Sequence, residues 1–118
     1  YSPSGDFYSL PPMGDFINTA TSTATECYYS TEGHEATHAT GHKSRLDRLT
    51  KGTRFGDSAY AFEELTAELG AAFICAHLNI SQSPRPDHAQ YLKHWIQGLK
   101  DDKGAFQRAS LVRVSSGC

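Results

Sequence analysis

The sequence predicts a mainly helical α+β domain. Two long helices form its centre, one short strand precedes them and two further helices follow them. The pattern of apolar and polar residues is helical in two long segments, about 23–40 and 57–78. Stretches punctuated by Gly, Pro and Ser separate these from a third helical segment at about 87–100. A last short helix is expected from about Asp102. The 118 residues suit one compact domain.

The amino-terminal segment is rich in Pro, Gly and Ser, which limits it to short elements. One extended piece, Phe7–Leu10, fits before the pair Pro11–Pro12, because proline stops a strand. A short turn or helix is expected at Asp15–Thr19. This region therefore supplies the predicted strand.

The first long helix has clear signals at both ends. Ser22 or Thr23 is the candidate N-cap, and Glu26 stands where a capping box requires an acid. Gly41 is expected to end the helix. Gly33 lies inside it and costs roughly 1 kcal/mol relative to alanine. Some factor other than helix propensity must therefore favour a small residue at this position.

The second long helix has the strongest apolar periodicity in the chain. Asp57 or Ser58 is the candidate N-cap, and Gly70 with Ala71–Ala72 would allow a close approach to the first helix. In the third helical segment, Asp87 is the candidate N-cap. The apolar positions of the second helix are Tyr60, Leu65, Leu69, Phe73 and Leu78.

Composition excludes several classes of protein. The net charge is −2, from 11 basic and 13 acidic residues, so no basic excess points to nucleic-acid binding by this chain. No apolar run approaches the roughly 20 residues that span a membrane. Cys27, Cys75 and Cys118 are odd in number and lack CxxC spacing, which favours neither disulfides nor a thiolate zinc site. A reducing cytoplasm is the simplest location, with Cys27 and Cys75 in the core.

The segment STEGHEATHATGH carries the chemistry of the chain. His34 and His38 are four residues apart, so on a helix both imidazoles project from one face toward a common point. Glu35 completes the HExxH motif, in which the glutamate takes a proton from a metal-bound water. The metal lowers the pKa of that water toward about 7. A zinc ion held by both histidines is therefore predicted, with Glu35 as the catalytic base.

A catalytic zinc normally has three protein ligands and one open position. His42 is the first candidate for the third, but it lies about 12 Å along a straight helix from His34. The pattern HExxHxxGxxH avoids this by turning at its glycine, yet the position where its last histidine is needed holds Ser44. His42 is therefore expected to cap the helix end or line the cleft.

A carboxylate from the second long helix is the other solution. Glu64 and Glu68 are four residues apart and share a helix face, whereas Glu63 is expected to point elsewhere. We assign Glu64 as the third ligand and Glu68 as the acceptor of a histidine N–H that fixes its tautomer. The exchanged roles remain the alternative.

Three further side chains have competing interpretations. Arg45 and Arg48 follow the motif, and a solvated loop is favoured over a role in holding a substrate carboxylate or phosphate. Tyr60 is a candidate to stabilise an oxyanion near the metal, but its place on an apolar helix face favours core packing.

Three segments carry a resemblance to a known family: YYSTEGHEATHATGHKSRLDR, RFGDSAYAFEELTAELGAAFICAHLNI and RPDHAQYLKHWIQGLKDDKGAFQRAS. In these segments the chain resembles the zincin-like metallopeptidase domain of ArdC-type antirestriction proteins, which is related to domains of mobile-element primases and polyvalent proteins. By position, His34, Glu35 and His38 match the family's HExxH, and Glu64 and Glu68 match its helical glutamates.

The resemblance implies a zinc peptidase fold carried on plasmids or integrated elements, with a role in protecting incoming DNA from restriction. It also implies that the domain is the C-terminal part of a longer protein, which would bind single-stranded DNA through an N-terminal domain. This chain departs from the family pattern at Gly33 and Ala39, where bulkier residues are expected. These departures should thin the packing around the first helix while leaving the metal-binding set intact.

Two functions compete on these grounds. The first is a zinc-dependent hydrolase that cleaves peptide bonds of a protein substrate with a metal-activated water. The second is a catalytically inactive module of the same fold, which protects DNA by binding a host restriction factor or the DNA itself.

Overall fold

Two helices form the body of the structure, a computed structural model that describes residues 1–49 and 58–80 together with positions 93, 96 and 97. Helix α1 spans Ala24–Thr40 and helix α2 spans Ser58–His77. A short 3₁₀ turn at Met13–Asp15 precedes them and contacts α1. The prediction of a mainly helical fold is confirmed.

The amino-terminal segment differs from the predicted strand at Phe7–Leu10. Phe7 forms a single antiparallel bridge with Ser2, whose N–H donates to the Phe7 carbonyl at 2.8 Å. The chain between them turns tightly, with Asp6 at a φ of 53°. The extended piece therefore pairs within its own turn instead of forming a strand. The helical turn predicted at Asp15–Thr19 begins earlier, directly after Pro12.

Helix α1 begins with the predicted capping box. The Thr23 backbone N–H donates to Glu26 Oε2 at 2.6 Å, and the Glu26 N–H donates to Thr23 Oγ1 at 3.2 Å. The Asn18 side chain accepts a further bond, at 2.8 Å, from the N–H of Ala24. Three backbone groups at the helix start are thus satisfied by side chains, and Thr23, not Ser22, is the cap.

Gly41 ends α1 for a steric reason. Its φ of −79° lies in the ordinary right-handed region, so the position does not require the freedom of glycine. A Cβ atom at Gly41 would instead lie 2.9 Å from Arg48 Nη2 and 3.0 Å from Leu49 Cγ. The missing side chain therefore makes room for the loop that folds back over the helix end.

Small residues bring α1 and α2 together. A Cβ at Gly33 would lie 3.3 Å from Ala71 Cα, and a Cβ at Gly70 would lie 2.3 Å from Thr37 Oγ1. The expectation that Gly33 thins the packing is wrong, because α2 fills the space that a side chain would occupy. This contact is the factor that offsets the low helix propensity of Gly33.

The core lies along this helix crossing and is built largely from small side chains. Cys27 and Cys75 are both buried, as predicted. Thr37 is also buried, and its hydroxyl donates to the Gly33 carbonyl at 2.7 Å. Because the side chains are small, the two backbones are close and polar groups on facing turns come within reach of each other. The buried residues of α2 are Ala61, Leu65, Thr66, Ala67, Ala71 and Cys75.

Within the described ranges, no helix has the length and apolar character that a membrane span requires. The predicted cap at Asp57, most of the helix predicted at about 87–100 and the helix from about Asp102 lie outside the described residues. Positions 93, 96 and 97 are helical.

Candidate metal centre

Helix α1 projects two imidazole rings toward α2. The Nε2 atoms of His34 and His38 lie 3.0 Å apart, and the ring centroids lie 4.7 Å apart. The side chains of His34 and His38 are 16% and 12% exposed, so the rings are largely enclosed but still reach solvent. The four-residue spacing on a single helix accounts for this pairing.

Helix α2 supplies the carboxylate that faces both rings. Glu64 Oε2 lies 3.5 Å from His34 Nε2, and Glu64 Oε1 lies 3.4 Å from His38 Nε2. Each of the three residues offers one ligand atom, and these atoms all lie within 4.8 Å of one another. Among the residues that the structure describes, this is the group suited to a metal ion.

The other nitrogen of each ring faces a second carboxylate. Glu68 Oε1 lies 3.0 Å from His34 Nδ1, and Glu63 Oε1 lies 3.0 Å from His38 Nδ1. The expectation that Glu63 points elsewhere is wrong. Glu63 and Glu68 lie on opposite sides of Glu64 on α2, so each carboxylate reaches the Nδ1 atom of a different ring. These carboxylates favour the tautomer that keeps hydrogen on Nδ1.

The arrangement fits a metal ion in both chemistry and size. With hydrogen on Nδ1, each Nε2 turns a lone pair toward the same space, and two lone pairs 3.0 Å apart repel unless a proton or a cation lies between them. Ligand atoms about 2.0 Å from a tetrahedral zinc stand about 3.3 Å from each other. The two Nε2 atoms are 3.0 Å apart, and the Glu64 carboxylate approaches one of them with Oε2 at 3.5 Å and the other with Oε1 at 3.4 Å. With one atom from each residue, the three ligand atoms lie within 4.8 Å of one another, so a small shift would bring them around one ion.

In the absence of metal, the carboxylates around His34 favour its protonated form. Burial alone would lower the pKa of His34, but the hydrogen bonds to Glu64 and Glu68 outweigh it and raise that pKa to about 9. Burial would raise the pKa of Glu64, yet the hydrogen bonds from His34 and His38 hold it at about 2. Protons and metal therefore compete for the same atoms.

Glu35 and His42 lie outside this group. Glu35 follows His34 on α1, and its side chain is 22% exposed. His42 Nδ1 lies 2.7 Å from Ser44 Oγ and 3.7 Å from Asp6 Oδ2. His42 is thus engaged with the loop after α1 and with the amino-terminal turn.

Tyr60 packs in the core, as the sequence favoured, and its hydroxyl also contacts Glu64. Its ring packs against the core pair Ala61 and Leu65, on the apolar face of α2. Burial raises the pKa of the Tyr60 hydroxyl, and the charge of Glu64 and a hydrogen bond to it raise that pKa further. The phenol is therefore in contact with the carboxylate that faces both imidazoles.

The two arginines after α1 have different environments. Arg45 is exposed and forms an ion pair with Asp6, in line with the expected solvated loop. Arg48 is 9% exposed at its side chain and binds Glu63 through two nitrogens, at 2.6 and 2.9 Å. The solvated loop is the wrong description for Arg48. The adjacent pair Glu63 and Glu64 could have pointed to the buried position of Arg48, because a second buried carboxylate needs a cationic partner.

Comparison with known proteins agrees with this geometry. Residues 1–111 match the family model described as zincin-like metallopeptidase. The chain belongs to the zincin-like metallopeptidase family. The resemblance noted in the sequence is thus confirmed, and membership in this family suggests a bound metal ion.

Among proteins of this family, an uncharacterized protein of Sinorhizobium fredii, y4eC, is 44% identical to the chain over 110 residues, which are 93% of this chain and 34% of that protein. A DNA primase TraC of Escherichia coli is 40% identical over 102 residues, 86% of this chain and 6% of the primase. The zincin-like chain thus spans about a third or less of these two curated relatives.

A solved structure has the same fold. The crystal structure of the antirestriction protein ArdC from plasmid R388, in a Mn(II)-bound form, superimposes with a TM-score of 0.72 at 41% identity. The alignment covers 95% of this chain and 39% of the ArdC chain. A helical zincin-like domain is therefore shared, and the ion named for ArdC is manganese.

Proposed function

We propose that this chain is a zinc-dependent peptidase domain in which His34, His38 and Glu64 hold the ion. The proposal is carried by one observation, the convergence of two imidazole nitrogens and a carboxylate with separations of 3.0 to 3.5 Å. Three protein ligands are the number that a catalytic zinc normally has, with a fourth position left for water or substrate. Two histidines with one carboxylate form a donor set that suits zinc.

The residues around the group have defined tasks. When bound, zinc lowers the pKa of a water molecule and polarises a carbonyl group. Glu35 accepts the proton that the attacking water loses and delivers it to the departing amine nitrogen. Glu68 holds the His34 ring and Glu63 holds the His38 ring, so that both Nε2 lone pairs stay directed at the ion. The Tyr60 hydroxyl steadies Glu64.

The proposed substrate is a peptide bond in a protein. The chain is 41% identical to an antirestriction protein. This likeness supports a substrate protein that belongs to a host defence system. The same likeness favours the second candidate function, a catalytically inactive module that protects DNA by binding a host restriction factor or DNA. Glu35 distinguishes the two, because peptide hydrolysis needs its carboxylate and binding does not.

Metal content tests the first step. Native mass spectrometry of the purified chain should show one zinc per molecule, lost in His38→Ala and in Glu64→Ala and kept in Glu35→Gln. His42→Ala is the matched control, because its imidazole lies outside the group and its removal should leave the metal in place. Wild-type protein without metal after incubation with zinc would contradict the proposal.

Turnover tests the second step. Wild-type protein loaded with zinc should cleave a casein or peptide-library substrate, and Glu35→Gln should bind zinc equally well but lose cleavage by 100-fold or more, roughly the contribution of a general base. If Glu35→Gln protects DNA from restriction in cells as well as the wild type does, the binding module is the correct function.

A further inference from the structure

Arg48 leaves the loop after α1 and inserts its guanidinium between the helices. Its Nε donates to Glu63 Oε2 at 2.6 Å, and its Nη2 donates to Glu63 Oε1 at 2.9 Å. This is the two-bond fork that arginine makes with a carboxylate and that lysine cannot reproduce. The fork is nearly enclosed, since the Arg48 and Glu63 side chains are 9% and 13% exposed.

The same guanidinium is also tied to the last turns of α1. Nη2 donates to the Thr37 carbonyl at 2.9 Å, and Nη1 donates to Thr40 Oγ1 at 3.2 Å. Gly41 leaves space for it, because a Cβ there would lie 2.9 Å from Nη2. Arg48 thus joins the end of the motif helix to Glu63 on α2 and occupies a place that the backbone keeps open for it.

Glu63 continues this chain of contacts to the metal centre. The oxygen that accepts from Arg48 Nη2 also lies 3.0 Å from His38 Nδ1. A carboxylate held on one side by a guanidinium has little freedom to rotate, so the direction of its bond to His38 is set. The hydrogen bonds of Arg48 run to Glu63, Thr37 and Thr40, so Arg48 would act on the metal centre through Glu63.

We propose that Arg48 is a positioning residue for the metal centre, which fixes Glu63 and through it the orientation and tautomer of His38. The inference rests on the proposed metal-binding function. It predicts that Arg48 contributes to the metal affinity of the site, although Arg48 lies in a loop and is not one of the proposed ligands. Changes to residues around metal ligands typically reduce affinity 10- to 100-fold, so roughly this range is expected.

The test measures metal binding in the full chain. Zn²⁺ affinity is measured by competition with a chromophoric chelator, and the visible absorption of the Co²⁺-loaded protein reports the geometry of the ligands. Arg48→Met should weaken Zn²⁺ binding about 10-fold or more and change the Co²⁺ spectrum. Arg45→Met is the control, because this arginine lies three residues earlier in the same loop and should leave both readouts unchanged.

Double variants show whether Arg48 acts through Glu63. In a Glu63→Gln background, Arg48→Met should cause little further loss, because the carboxylate that it holds has already been replaced. In a Glu68→Gln background the two losses should multiply, because Glu68 supports the other imidazole. A further full loss in the Glu63→Gln background would overturn the proposal.

Circular dichroism separates loss of the fold from loss of positioning. If Arg48→Met does not fold, Arg48→Lys replaces it, since lysine keeps the charge but cannot form the fork, and a weakened Zn²⁺ affinity with an altered Co²⁺ spectrum is again expected. Wild-type affinity and spectrum in a folded Arg48 variant would overturn the inference while leaving the proposed function intact. A wild-type chain that binds no metal would overturn both.

Discussion

Gly70 is the residue at which the structure makes its sharpest steric prediction. A Cβ there would lie 2.3 Å from Thr37 Oγ1, 2.5 Å from Thr37 Cγ2 and 2.9 Å from Thr37 Cβ. Favourable contacts between carbon atoms are about 3.5–4.0 Å, so Gly70→Ala creates an overlap of about 1 Å. Rotating Thr37 gives no relief, because all three of its side-chain atoms are too close. The helices must therefore separate.

The magnitude is the difference between two opposing effects. Alanine gains about 1 kcal/mol over glycine from helix propensity. Overpacking a well-packed core costs about 1–3 kcal/mol and occasionally more. Because Thr37 is buried and its hydroxyl is bonded to the Gly33 carbonyl, we expect the upper part of that range. The net loss in the free energy of unfolding should be about 1–2 kcal/mol.

Urea unfolding followed by circular dichroism measures this loss. Gly33→Ala should be milder, because its Cβ would meet Ala71 at 3.3 Å, and Gly14→Ala should be neutral, because nothing lies within 4 Å of the added atom. Zn²⁺ affinity should fall with Gly70→Ala, since Glu64 moves away with α2. A Gly70→Ala protein as stable as the wild type would refute the close helix crossing.

Three further predictions concern the cap, the protons and the metal. Thr23→Ala should lower the free energy of unfolding by about 1 kcal/mol in thermal melts, whereas Thr25→Ala should not, because Thr25 is exposed and lies two residues after the cap. Against the effect of burial, the hydrogen bonds to Glu64 and Glu68 raise the pKa of His34 from 6.5 to about 9. In the metal-free protein, the contribution of His34 to the free energy of unfolding is therefore complete below pH 6.5 and is lost as the pH rises through about 9. The loss should be on the order of 3 kcal/mol in urea titrations, and a flat profile would contradict it. Zinc at 100 times its dissociation constant should stabilise the wild type by about 2.7 kcal/mol and His38→Ala by nothing, as melting temperatures would show.

Local sequence rules were sufficient for much of the fold and for the centre of the candidate site. The capping box and the pair His34 and His38 depend on spacings of three and four residues within one helix, and periodicity alone determines these. Glu64 and Glu68 were placed on one face of α2 by the same rule. The structure then brings Glu64 to both imidazoles, which requires only that the two helices pack face to face.

The contacts that escaped prediction depend on how the two helices cross. Glu63 lies about 100° around α2 from Glu64, so helical spacing alone directs it away from the site. It reaches His38 because small residues at 33 and 70 let α2 approach α1 closely. The predicted strand failed for a related reason, since strand pairing needs a partner, and Phe7 found one within its own turn.

Metal and proton occupancy of the site are linked through the carboxylates that surround it. Glu63, Glu64 and Glu68 place three negative charges against His34 and His38, and Arg48 offsets one of them. In the metal-free state, a protonated His34 adds one more positive charge. A divalent ion bound at the same place would replace that proton and supply two positive charges. Metal affinity should therefore rise as the pH increases toward about 9, the pKa of His34, because above it the metal no longer has to displace a proton from that ring. The carboxylates that fix the imidazoles thus also set the pH at which the site exchanges a proton for a metal.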